Sequence, residues 1–193
     1  YLDADIPLSP EVSLIEARRE IARFGRVTHE MLGMTRELLT ARESLQRDRL
    51  MQRMARYEQL TDRIEVEVGK YLTKTSTEAR NEEVTQRIRG MLSIVGDLER
   101  VGDIFFQMSK AMERKLDDRV WFTPEQRQDL SGMLDLLDQA FEVMHRNLDA
   151  DQDLVRLDEA VEAAQRINAL RDQLRNKHWK SIEEGDYNVR SGL

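Results

Sequence analysis

The sequence contains no cysteine, which removes disulfides, thiolate nucleophiles and thiolate zinc sites and fits a reducing compartment. Proline occurs three times and glycine nine times in 193 residues, too few breakers for a turn-rich β protein and in keeping with long helices. No apolar run approaches the ~18 residues that a membrane-spanning helix needs, and the opening residues do not read as a secretory leader. Bases are outnumbered: 30 Lys and Arg against 37 Asp and Glu leave a formal charge of −7. That sign argues against nucleic acid as a partner and against adhesion to an anionic membrane surface. The chain starts at Tyr1 without an initiator Met, so it is expected to be a piece of a longer polypeptide.

What is present is heptad-like spacing of apolar residues. Residues 1–9, YLDADIPLS, read as a lead-in. Ser9, Pro10 and Glu11 then form a helix start: a capping hydroxyl, proline at the first helical position and an acid on the positive end of the dipole. The first seam runs Leu14, Ala17, Ile21, Phe24, Thr28, Met31, Thr35, Leu38 and Leu45, skipping only Arg42, and predicts one helix of roughly 50 Å. A second runs from Leu50 through Met54, Tyr57, Thr61, Ile64 and Val68 to Tyr71, after which the polar tract Thr73–Asn81 predicts a turn. A third passes from Val84 through Val95, Leu98, Gly102 and Phe105 to Leu116. Thr123, Pro124 and Gln126 spell a capping box, and a fourth helix carries Leu130, Leu134, Leu137, Phe141, Met144 and Leu148. A fifth carries Ala160, Ala164, Ile167 and Leu174.

Sliding the chain by one ungapped offset of 110 residues lays Phe24 on Leu134, Met31 on Phe141, Tyr57 on Ile167 and Asp62 on Asp172. This suggests a duplicated three-helix unit. The expected fold is all-α, tandem antiparallel three-helix bundles: a first repeat over 10–117 and a second over 118–193 with only two helices. The copy of the third helix would begin beyond Leu193, so a neighbouring chain or exposed apolar surface is expected in its place.

The chemistry sits in the acids. Glu58 and Asp62 each follow a seam residue of the second helix, and Glu99 and Asp103 do the same on the third. Residues four apart share a helix face, so packing of these two helices would gather four carboxylates. Such a cluster raises its own pKa values or takes a counter-charge, and the natural one is a divalent cation that accepts oxygen ligands. The bland alternative is that acids this common pair by accident and are neutralised by Arg63 and Arg100. Gly96 and Gly102 read as room for close helix approach. His29, His145 and His178 share neither a face nor a repeat position and are expected to be isolated. Glu142-Val-Met-His145 fits one half of a di-iron element, but that design needs a second copy and two further glutamates. There is no glycine-rich phosphate loop.

"DLERVGDIFFQMSK" (Asp97–Lys110) resembles the signature of PhoU proteins, two-repeat, six-helix phosphate-signalling proteins with an acid-x-x-x-Asp motif on their helices. The opening "YLDADIPLSPEVSLIEARREIARFGRVTHEML" is similar to the entry into the PhoU-like domain at the C-terminus of bacterial sodium/phosphate cotransporters. The resemblance implies a regulatory, non-enzymatic domain on the cytoplasmic side of the inner membrane. Its expected partners are the membrane-embedded transporter part of the same polypeptide and a second copy of the chain. It also implies that Glu58, Asp62, Glu99 and Asp103 are metal ligands for iron, zinc or another divalent cation. In the second repeat Asn168 stands where Glu58 maps and only Asp172 remains, a weaker candidate ligand. A metal-free helical adaptor is the competing reading, and a metal-dependent enzyme the least favoured.

Overall fold

The computed structural model describes residues 9–78, 81–150 and 154–184; most of the lead-in therefore lies outside the described residues. Five helices follow in order: α1 (Pro10–Thr40), α2 (Ser44–Glu78), α3 (Glu82–Asp117), α4 (Pro124–Asp149) and α5 (Leu157–Glu184). There is no strand among the described residues, in line with the all-α expectation. No described helix is long and apolar enough to cross a membrane.

The helix starts follow the sequence signals. The Ser9 hydroxyl accepts from the Val12 N–H at 3.4 Å. At Thr123 both halves of the capping box form, Gln126 N–H to Thr123 Oγ1 at 3.2 Å and Thr123 N–H to Gln126 Oε1 at 2.9 Å. The end of α3 is closed by a Schellman motif. Val120 N–H reaches the Lys115 carbonyl at 2.8 Å and Arg119 N–H reaches Leu116 at 3.0 Å. The motif requires a left-handed residue, and Arg119 takes that conformation (φ 57°) where glycine is usual.

Two boundaries differ from expectation. The first helix does not run to Leu45: it ends at Thr40, and Leu45 belongs to α2, largely in solvent. The break at Ala41–Glu43 carries neither glycine nor proline. What closes it is the Ala41 N–H bonding to the Glu37 carbonyl while the Ala41 backbone turns extended (ψ 124°). The expected turn over Thr73–Asn81 is helix as far as Glu78, because the inward face continues as Leu72 and Thr75. The Thr75 hydroxyl satisfies itself on the Tyr71 carbonyl at 3.0 Å.

Helices α1, α2 and α3 pack against one another; α4 packs on α1, and α5 on α4. One core joins Met31, Leu38, Met54, Phe105 and Met112 to Leu134 and Phe141 of α4. The other joins Leu14, Ile21 and Phe24 to Val68, Leu72, Ile88, Val95 and Leu98. Several seam positions hold small polar residues: Thr28, Thr35 and Thr61 are completely buried, and each hydroxyl donates to a carbonyl of its own helix. This keeps the seam narrow while leaving no orphan hydroxyl. The fifth helix is different. None of its residues is fully buried, and its inward side includes Ala163 rather than the expected Ala164, which is exposed.

Candidate carboxylate site

The site grows from one close approach. A Cβ built on Gly102 of α3 would lie 3.4 Å from both Cγ2 and Oγ1 of Thr61 on α2, and 3.5 Å from Met31 Sδ on α1. Two short seam residues thus bring α2 and α3 together. The two helices run antiparallel, so the acids next along each chain meet crosswise: Glu58 opposite Asp103, and Asp62 and Glu65 opposite Glu99. Carboxylate oxygens of Glu58, Asp62 and Asp103 all lie within 4.8 Å of one another. Glu58 and Asp103 are half-buried and Asp62 is exposed.

The electrostatics report the crowding. Partial burial pushes the Glu58 carboxyl above its ordinary value, and the charges of Asp62 and Asp103 push it the same way. Burial also raises Glu99, followed by the charges of Asp103 and Glu65, a hydrogen bond with Asp103, and Asp62. Among the described residues these acids have no ion pair. Arg100, an expected neutraliser, instead reaches Asp97 at 3.6 Å, and Arg63 lies with Glu20 and Glu67 along a groove between α1 and α2. The arrangement is an uncompensated patch of oxygen donors that suits a hard or borderline divalent cation.

Of the acids marked in the sequence, three converge, and Glu99 stands beside them against Asp103. Glu65 was not foreseen; it lies three residues after Asp62, and only the antiparallel register carries it to Glu99. Asp172 does not join any carboxylate group among the described residues: it is exposed and bonded to its neighbour Arg171 at 2.8 Å. Gly102 lies at the close approach, but Gly96 does not, since a Cβ there would meet nothing within 4 Å.

The histidines require a correction. His29 and His145 are not isolated: His29 Nδ1 lies 3.0 Å from His145 Nε2, and His29 Nε2 lies 2.7 Å from Asp138 Oδ1. One residue comes from α1 and two from α4, separated by more than a hundred positions, and no repeat or spacing could announce the meeting.

An all-α chain with a three-helix unit and an acidic cluster between its second and third helices is the class that fold and site define. Comparison with known families is more specific: residues 21–112 match the model of the PhoU domain. That segment runs from within α1 to within α3 and contains every acid of the cluster. No curated protein and no solved structure matches the chain.

Proposed function

We propose that the chain is a non-enzymatic regulatory domain that tunes phosphate uptake from the cytoplasmic side of the membrane, as part of a sodium/phosphate cotransporter, and that Glu58, Asp62, Glu99 and Asp103 hold a divalent cation. The observation that carries the cation reading is the meeting of Glu58, Asp62 and Asp103 oxygens within 4.8 Å, with no ion pair to them among the described residues and inside the PhoU-matched segment. Support for the transporter reading is the similarity of the opening residues to the start of such domains. Bound at the cluster, a divalent ion such as iron or zinc would supply positive charge and open positions for oxygen ligands, phosphate oxygens included. The chain's own residues do the positioning. Thr61 and Gly102 set the helix separation, and the raised Glu58 and Glu99 carboxyls hold protons more readily than ordinary glutamates until a cation replaces them.

The test is elemental analysis of protein purified without added metal, repeated on an Asp62→Asn/Asp103→Asn variant. Stoichiometric iron, zinc or manganese that disappears in the variant supports the site. Protein free of metal, whose melting is unmoved by any of these ions, leaves a helical adaptor in its place. The transporter assignment is decided separately by the reading frame upstream of Tyr1, where several spans of ~20 apolar residues are expected.

A further inference from the structure

We propose that His29 and His145 form a proton-controlled clamp that fixes the middle of α4 to α1 near neutral pH and loosens it on mild acidification. The geometry is a linear chain of ring nitrogens. Asp138 accepts from His29 Nε2–H at 2.7 Å, which leaves His29 Nδ1 a bare lone pair. The 3.0 Å contact with His145 Nε2 then requires the hydrogen to come from His145. His145 Nδ1 is left as an unprotonated nitrogen, and it is enclosed with no hydrogen-bond partner among the described residues. The two rings are also fixed in space. His29 stacks flat on Phe141 (centroids 4.7 Å apart, 3° between planes), and His145 packs over Gly25, whose Cβ position is 3.7 Å from its Cε1.

Proton bookkeeping makes this neutral arrangement the one that fits. A proton added to His145 lands directly on Nδ1, where no acceptor waits. A proton added to His29 Nδ1 reverses the central bond, so His145 must accept at Nε2 and carry its own hydrogen on Nδ1. Both routes put a buried N–H where there is no partner, which is costly. A second added proton sets two N–H groups face to face at 3.0 Å on two cations, and the bond is gone. The ionisable groups around His145 are His29 and Arg26 of α1 and Asp138, Glu142 and Asp149 of α4. Arg26 faces Asp149 at 3.6 Å, the Phe105 ring of α3 lies against Phe141, and the α5 acid Glu159 is taken by Arg146 at 2.6 Å. Burial, then the neighbouring His29, holds the His145 imidazole below its ordinary value.

The place of the clamp gives it leverage. Helix α4 meets the three-helix unit chiefly through α1. Arg18 bonds the Leu148 carbonyl at 3.0 Å and also the Ala150 carbonyl, at one end of α4, and Arg36 bonds Asp135 toward the other. Neither tie involves a histidine, so loosening is expected in the turns between Asp138 and His145, where Phe141 and Met144 are uncovered.

Amide hydrogen exchange on the whole chain, corrected for intrinsic rates, tests this at pH 7.5 and 5.5. The expected result is a tenfold or greater loss of protection over residues 138–146 at the lower pH, with α2 and α3 unchanged, and no such loss in His145→Leu. In proton NMR of the unaltered protein, His145 should titrate below an ordinary imidazole. Protection of α4 that is the same at both pH values, or the same loss in His145→Leu, overturns the clamp. Should His145→Leu fail to fold, the NMR titration decides alone: a His145 that titrates as a free imidazole sinks the proposal. Protonation of Glu58 and Glu99 relieves repulsion, so it cannot produce the expected loss.

Discussion

Gly102 and Thr61 face each other across the α2–α3 seam with room for one carbon and no more. A Cβ at Gly102 would sit at ordinary contact distance, 3.4 Å, from the threonine side chain. Gly102→Ala should therefore be tolerated, the gain in helix propensity of up to ~1 kcal/mol roughly offsetting the tighter contact. Gly102→Leu should lower unfolding free energy by about 1–3 kcal/mol through overpacking against Thr61 and Met31. Gly96→Ala, in open space, should stabilise by ~0.5–1 kcal/mol. Urea unfolding of the three variants checks all of it; a neutral Gly102→Leu would show that the seam is loose.

The acid cluster fixes a pH dependence. Glu58 and Glu99 have folded-state pKa values above their unfolded ones, so the folded state binds more protons in the window just above the ordinary glutamate value of 4.5. Their stabilising contribution is present below that value and is lost as pH rises through the folded pKa values. Metal-free protein should accordingly lose melting temperature over this window. Asp103→Asn should flatten the loss and raise the melting temperature at neutral pH by ~2–4 °C.

His145 has the opposite sign. Its imidazole is lowered on folding, so its contribution is present above the ordinary imidazole value of 6.5 and is lost as pH falls through the folded value. Thermal melts of metal-free protein should resolve two slopes, one removed by His145→Leu and the other by Asp103→Asn. A single slope that both substitutions leave intact would contradict the assignments.

Arg119 holds a left-handed backbone at the end of α3 (φ 57°). Arg119→Gly removes the steric penalty, worth roughly 1–2 kcal/mol for a side-chain-bearing residue, and adds some unfolded-chain entropy. A net gain of up to ~1 kcal/mol is expected by denaturant unfolding.

Thr123→Ala removes the hydroxyl half of the capping box at the start of α4. The expected loss is ~1 kcal/mol, and Thr123→Ser should restore most of it in the same measurement.

The starts of α1 and α4 were legible because a hydroxyl followed by proline has a local physical meaning, and both caps form where the residues stand. The end of α1 was not: Leu45 keeps the apolar period, so periodicity runs straight through a break made by backbone geometry at Ala41. The reverse happened at the end of α2, where Thr75 looks like a turn residue until its hydroxyl is seen folded back on Tyr71. Glu58, Asp62, Glu99 and Asp103 were visible as two pairs in the same phase of their helices. Glu65 was not, since its relevance depends on how far one helix slides along another. The link from His29 to His145 depends wholly on tertiary packing, and residue spacing along a single helix carries no trace of it.

The corner between α4 and α5 is held by the Asn147 amide and by the Arg146–Glu159 ion pair. Asn147 donates to the Arg156 carbonyl at 3.2 Å and accepts from the Arg156 N–H at 2.8 Å, much as a neighbouring strand would. At the far end, Lys177 reaches both Glu125 and Asp129 at 2.7 Å. With no deeply buried residue of its own, α5 is fastened at its extremities by polar contacts, like a shutter on two latches. Its grip should weaken with rising ionic strength, while in α1, α2 and α3 the same screening eases the repulsion among the carboxylates between α2 and α3.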